Sequence, residues 1–220
     1  MADAAHELRS PLTALSLQAE RLEAVDMSVQ ARDRLLTLKS GLQRSRMLLD
    51  QLLALARAQQ TANTDSSCIS VQQLFREVLE DLIALAEARK IDLGVVGTDD
   101  VKLLIQAIDM TVIIKNIVDN GIRYTPVGGT IDMSVKIYDS GIVLQFDDSG
   151  PGIPEEERER VFDPFYRILG NDEMGSGLGL SIVKSITDRI GADISLGYAD
   201  ESRNSGLSVK IFFPRSLKCP

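Results

Sequence analysis

The chain has 220 residues, 44% hydrophobic and 25% charged, a soluble-protein composition long enough for one or two domains with a sizeable core. Lys and Arg number 24 against 32 Asp and Glu, and the formal net charge of −8 repels polyphosphate backbones, which argues against nucleic acid as a partner. No stretch approaches the ~18 consecutive apolar residues needed to span a bilayer, so no membrane segment is expected, and no secretory leader is read.

Along the chain, residues 4–22 carry Leu8, Leu12, Leu15, Ala19 and Leu22 at intervals of three and four, the spacing of a buried helical stripe. Residues 32–59 repeat the pattern with Leu35, Leu38, Leu42, Leu49, Leu52, Leu53 and Ala56. The polar stretch 23–31 reads as the turn of an antiparallel hairpin. Two such helices make a poor core alone, and dimerisation into a four-helix bundle is the simplest way to cover both stripes. The helical pattern is already running by Asp3, which reads as the cut end of a longer chain.

The sequence TANTDSS at 61–67 has no apolar anchor and reads as a linker, which gives a first domain over 1–60, a linker over 61–70 and a second domain over 71–217. There the pattern becomes mixed. A helix is expected over 71–89 with Leu74, Val78, Leu82 and Leu85 on one face, a strand over 91–96 and a helix over 105–123. A hairpin of strands 130–138 and 142–146 turns through Asp139, Ser140 and Gly141. A helix over 178–190 ends at Gly191, followed by strands 194–198 and 207–213. This order suggests an α/β sandwich, one sheet with helices on one face. Cys68 and Cys219, the two cysteines, match no metal-ligand spacing and are expected to be reduced thiols in a cytoplasmic setting.

His6 is the only histidine. It lies two residues before Leu8, off the apolar stripe, and Glu7 follows it. A near-neutral imidazole beside a carboxylate can accept a phosphoryl group, and Pro11 should bend the helix one turn later. Taken alone, His6 reads as readily as a surface residue near a helix end. Asn116 and Asn120 share a helical face, with Lys115, Asp119 and Arg123 nearby. An amide oxygen can coordinate Mg²⁺ and Arg123 can reach a phosphate, although solvent-facing polar residues would give the same spacing.

Asp147-Asp148-Ser149-Gly150-Pro151-Gly152 follows a strand. Its glycines let backbone approach a flat ligand, and Asp148 could accept from an amino group such as that of adenine. An ordinary turn is the alternative. Gly175-Ser176-Gly177-Leu178-Gly179 opens a helix, where unblocked amides and the positive dipole end suit phosphate; it lacks the Gly-Lys-Ser/Thr of a Walker A loop. The interval 153–175 reads as a lid over a nucleotide, with Phe162, Phe165 and Tyr166 anchoring its near end. Only the conjunction of base acceptor, metal-binding amide, phosphate cradle and phosphoryl acceptor is decisive.

Five blocks resemble the sensor histidine kinases of bacterial two-component systems, in the family's order: HELRSPLTAL at 6–15, NIVDNGIRYTP at 116–126, DDSGPGIP at 147–154, VFDPFYR at 161–167 and GSGLGLSIVKSI at 175–186. The resemblance implies a dimeric helical hairpin followed by a Bergerat-type ATP-binding α/β sandwich. It implies that His6 takes the γ-phosphoryl group of ATP with Glu7 as activating carboxylate, and that the group passes to an Asp of a response-regulator receiver. Ser10 would occupy the position used to dephosphorylate that partner, though Ser is a less usual choice there. Asn120, assisted by Asn116, would hold Mg²⁺, with Arg123 and Tyr124 along the nucleotide. Asp148 would read adenine in a pocket shaped by Gly150 and Gly152, and Gly175, Gly177, Leu178 and Gly179 would form the lid hinge and phosphate loop. Relatives are usually membrane receptors, which implies the cytoplasmic face of the inner membrane for a full-length protein. Gly121 stands where Ala is common and is expected to cost the helix roughly 1 kcal/mol and loosen it. Two other readings, an ATP-hydrolysing clamp and a non-catalytic dimeric scaffold, are opposed by HELRSP and by the intact Asn120, Asp148 and glycine blocks.

Overall fold

The computed structural model describes residues 2–58, 66–97, 99–168 and 176–219, without the side chains of residues 2–10, 43, 44, 46–48 and 50–58. The chain forms two compact units, residues 1–57 and 58–220.

The first unit is a helical hairpin of α1 (Ala2–Glu23) and α2 (Val29–Ala58). α1 is helical on both sides of Pro11. The turn closes with the Val25 amide donating to the Leu22 carbonyl, and Ser28 Oγ accepts from the Ala31 amide at 3.3 Å, satisfying an orphan donor of α2. Ala19 and Leu35 are buried, while Leu15, Leu22, Val29 and Leu38 are more than half exposed. The expected stripe is therefore only partly covered by the hairpin itself.

In the second unit, α3 (Val71–Ala88) starts where Ser70 Oγ accepts from the Gln73 amide at 3.2 Å. It buries Val71, Leu74, Phe75, Val78 and Ala86. Leu85, expected on this face, is instead 44% exposed, because Ala86 takes the inward position in the last turn. The strands β2 (Asp92–Val95), β4 (Thr130–Tyr138), β5 (Gly141–Asp148), β6 (Asp193–Asp200) and β7 (Ser205–Pro214) form a sheet in the order β2-β4-β5-β7-β6. β2 runs parallel to β4 and every other pair is antiparallel. Tyr138 pairs with Gly141, so Asp139 and Ser140 form a two-residue hairpin turn. The helices α4 (Ala107–Tyr124) and α5 (Gly179–Ile190) complete the unit, and Gly191 at φ 72 ends α5 in the left-handed conformation. Met110, Ile113, Ile114, Met133, Leu144, Ile182 and Ile211 have no accessible surface, and the rings of Phe75 and Phe146 meet edge to face at 5.9 Å.

Two expectations need correction. The α/β architecture holds, but the unit has two sheets: β1 (Ser67–Ser70) pairs antiparallel with β3 (Lys102–Ile105) apart from the larger sheet. Strand β1 thus occupies part of the stretch read as linker, and Ile105 ends a strand where a helix was expected. The cysteines are not reduced thiols. Cys68 in β1 and Cys219 near the chain end form a disulfide across 151 positions, with Cα atoms 6.0 Å apart. Antiparallel pairing sets Cys68 opposite Leu104, while a bridge between Leu103 and Lys218 brings the C-terminal segment to the same sheet. Long-range strand pairing created a juxtaposition that cysteine spacing could not reveal.

Candidate functional site

The second unit holds a cavity lined by Ile117, Asn120 and Gly121 of α4, Ile131 of β4, Phe146, Asp147 and Asp148 of β5, Leu180 of α5, and Leu207 and Val209 of β7. Its walls are mostly apolar, with an amide at one position and carboxylates at the strand end, a chemistry suited to a flat heterocycle bearing a polar edge.

Asp148 is the last residue of β5, half-buried and held in place by backbone. Its Oδ1 accepts from the Gly150 amide at 2.8 Å and from the Leu207 amide at 3.1 Å. Burial raises its carboxyl above the usual range, the two amides pull it back, and neighbouring Asp147 adds repulsion in the raising direction. The glycines follow from this crowding. A Cβ at Gly150 would lie 2.9 Å from Asp148 Oδ1, and one at Gly152, whose φ is +75, would lie 2.8 Å from the Gly206 carbonyl. Leu207 and Gly206 were not singled out from sequence, since Leu207 acts through its backbone and only the Asn-Ser-Gly turn hints at Gly206.

On α4, Asn116 Nδ2 donates to the Val112 carbonyl at 2.8 Å, which orients its Oδ1 outward. A Cβ on Gly179 would lie 3.3 Å from that oxygen, 3.1 Å from Asn120 Nδ2 and 3.4 Å from Asn120 Oδ1. Both amides therefore converge on the start of α5, in space that exists because residue 179 is glycine. The same helix terminus leaves backbone N–H groups available for anions. Amide oxygens beside such a terminus would suit a hard cation. Tyr124 is half-buried at the end of α4. Arg123, also half-buried, makes an ion pair with Asp119 at 2.8 Å. α4 runs unbroken through Gly121, which is buried, and a Cβ there would approach Ile131 Cδ1 to 3.0 Å.

The glycine block and the aromatic block are joined through backbone. The Phe165 amide donates to the Gly177 carbonyl at 3.0 Å, and Gly177, at φ +70, has no room for a Cβ, which would lie 2.7 Å from Tyr166 O. Phe165 is 60% exposed, so it contributes its main chain, while Tyr166 bonds Glu157 through its hydroxyl and lies under the Arg160 guanidinium at 4.4 Å. Leu178 is fully buried, with its amide donating to Ser176 Oγ at 3.2 Å; its side chain belongs to the core. Gly175 and the rest of the far end of the expected lid, residues 169–175, lie outside the described residues. His6, Glu7 and Ser10 lie on α1 in the other unit, and their side chains are likewise outside the description.

Beyond the cavity, Asp109 of α4 pairs with Arg189 of α5 at 2.7 Å, with side chains 10% and 13% exposed. Sequence offered no sign of this pair, which clamps the two helices that carry the site.

The family model for histidine kinase-, DNA gyrase B-, and HSP90-like ATPases matches residues 105–217, and that for the His kinase A (phospho-acceptor) domain matches residues 1–61. The sensor protein QseC of Escherichia coli (strain K12) is 38% identical over 202 residues, 90% of this chain and 44% of QseC. The sensor protein kinase PmrB of Pseudomonas aeruginosa is 34% identical over 219 residues, 97% of this chain and 45% of PmrB. The chain thus spans about half the length of these relatives. Among solved structures, the mycobacterial sensor histidine kinase MprB superposes with a TM-score of 0.62 at 27% identity, covering 71% of this chain and 99% of that one. Full-length ShkA in complex with AMPPNP superposes with a TM-score of 0.79 over 97% of this chain and 45% of ShkA; at 22% identity it speaks to the fold alone.

Proposed function

Because the chain belongs to the sensor histidine kinases, joining a phosphoacceptor hairpin to a Bergerat-type ATPase unit, we propose that it binds Mg²⁺-ATP and phosphorylates itself on His6. The observation that carries this reading is the pairing of Asp148, fixed by the Gly150 and Leu207 amides at one part of the second unit's cavity, with the Asn116 and Asn120 amides gathered at Gly179.

In this reading the adenine ring enters between Ile131, Phe146, Leu180 and Val209, and its amino group donates to Asp148. The triphosphate runs toward the N-terminus of α5, where backbone amides offset its charge, helped by Gly177 and Gly179 and by the flanking Gly175. Asn120 and Asn116 supply amide oxygens to Mg²⁺. The cation, when bound, neutralises charge that builds on the phosphoryl oxygens. Arg123, held by Asp119, and Tyr124 lie on the α4 segment that follows Asn120 and would flank the nucleotide. Phosphoryl transfer demands alignment and charge neutralisation more than a covalent group, which suits a site of amides and the half-buried Asp148 carboxylate.

The γ-phosphoryl group would then pass to an imidazole nitrogen of His6 as its bond to the β-phosphate oxygen breaks and ADP leaves, with Glu7 taking or polarising the imidazole proton. The exposed leucines of the hairpin support dimerisation through the first unit. The phosphohistidine serves an Asp on a response-regulator receiver, and the Ser10 hydroxyl is a candidate for orienting water against that product. As a piece of a longer receptor, the chain would work on the cytoplasmic side of a membrane.

The experiment is incubation with Mg²⁺ and γ-labelled ATP, followed by addition of candidate receivers. The chain should acquire label and pass it on, and Asn120→Ala should acquire less than about a tenth as much, consistent with losing a metal ligand. Labelling by Asn120→Ala at the unsubstituted rate would count against this site.

A further inference from the structure

The Cys68–Cys219 disulfide lies apart from the site above and plays no part in the proposed phosphoryl transfer. Its two halves differ. Cys68 is exposed on β1, and β1 lies within the first residues described for the second unit. Cys219 is 7% exposed and close to the end of the chain. The terminal segment is otherwise held lightly: the Cys219 amide donates to the Lys102 carbonyl at 3.0 Å, Lys218 bridges to Leu103, and the Arg215 amide donates to the Ser140 carbonyl at 3.2 Å. An open depression beside it is lined by Ile137, Tyr138, Asp139, Gly141, Arg215, Lys218 and Cys219. Two exposed cations there outnumber the single carboxylate, Asp139.

From this arrangement we propose that Cys68–Cys219 is a reversible thiol–disulfide exchange site whose co-reactant is a small anionic thiol, and that it fastens the C-terminal segment to β1. A thiolate draws toward Arg215 and Lys218 and attacks the accessible Cys68 sulfur. A mixed disulfide to Cys68 forms as the Cys68–Cys219 bond breaks, and the electron pair leaves with Cys219 as a thiolate beside the same cations. A second thiolate then attacks the external sulfur of the mixed disulfide, releasing the co-reactant as its own disulfide and Cys68 as a thiolate. Two small thiols are oxidised and one protein disulfide is reduced. With the bond gone, the terminal segment is left with backbone contacts to β3 and the β4–β5 turn, among the described residues.

Glutathione serves as the probe. The folded chain is equilibrated in buffers ranging from oxidised to reduced glutathione, quenched in acid, labelled with a maleimide and weighed intact. The expected result is no labelled thiol at the oxidised end and two at the reduced end, both without denaturant. Exchange of the Cys219 amide with deuterium should speed up at least about tenfold on reduction, since local opening governs it. Cys219→Ser should take up one glutathione at Cys68, and Cys68→Ser should likewise take up one at Cys219, because without the bond the terminal segment opens. Thiols that stay free in oxidised glutathione would overturn the proposal, as would a disulfide that resists reduced glutathione until the chain is unfolded. Should either variant fail to fold, the unsubstituted chain still decides between these outcomes.

Discussion

Asp148 accepts the backbone amide of Leu207, 59 positions away, on the same carboxylate oxygen that takes the Gly150 amide. One side chain thereby ties the end of β5 to the start of β7 and fixes the glycine turn between the sheet and the remaining loop. In the proposed site its second oxygen is then available to a ligand, and that division of labour is open to test.

Asp148→Asn keeps an oxygen for the two amides but replaces the other acceptor with a donor. Nucleotide affinity is expected to fall about 10–100-fold, in line with the loss of a charge-assisted hydrogen bond. Thermal unfolding should change little. Titration calorimetry with ATP, alongside a melting curve, separates the two effects.

Acid should weaken binding sooner than an exposed aspartate would predict. Burial, the largest influence, raises the Asp148 carboxyl, against the lowering by the Leu207 and Gly150 amides. The ionised form is the stronger acceptor for an adenine amino group, so ATP affinity should decline with falling pH from above the usual value of about 3.9. Stability runs the opposite way for this residue. The folded state holds the proton more tightly, so protonated Asp148 contributes stability at low pH that is lost as pH rises through its raised value. Binding measured across this window should show the acid decline in the unsubstituted chain and none attributable to this residue in Asp148→Asn.

Gly179→Ala tests the cradle at α5. The added Cβ would lie 3.1 Å from Asn120 Nδ2 and 3.3 Å from Asn116 Oδ1, forcing both amides to give way. Mg²⁺-ATP affinity should drop at least about tenfold, or 1.4 kcal/mol. The melting temperature should hold or rise slightly, because alanine favours the helix. A fluorescent ATP analogue titrated with and without Mg²⁺ would read the first effect.

Asp109→Ala leaves the Arg189 guanidinium buried without its partner. Asp109 Oδ2 and Arg189 Nε already lack hydrogen-bond partners among the described residues. The pair is thus incompletely satisfied, yet breaking it should still cost about 3 kcal/mol. Substituting both residues with apolar ones of similar size should cost less. Urea unfolding of the two variants and the unsubstituted chain measures the difference.

The sequence made the α4 face legible because Asn116 and Asn120 are four apart, close to one helical turn, and local spacing is enough to align them. Asp148 was legible for a similar reason, standing where an alternating strand ends in glycines. Leu207 was not, since its contribution is a backbone amide delivered by strand pairing from far along the chain. The cysteine bond failed to emerge for the same reason, resting on the short strands β1 and β3 and on the return of Lys218 to Leu103. Those four-residue strands offer too little alternation to stand out. Phe165 reads from sequence as an anchor of the lid through its ring, but a φ of 66° sets its amide against Gly177 and leaves the ring exposed, a backbone role that residue type does not reveal.

The central claim is that the nucleotide unit exists to phosphorylate His6. Its most direct test compares the chain with His6→Gln after incubation with Mg²⁺ and γ-labelled ATP. The unsubstituted chain should carry label that survives alkali and is lost in acid, and His6→Gln should carry none while binding ATP as before. Label of equal amount on His6→Gln would contradict the account.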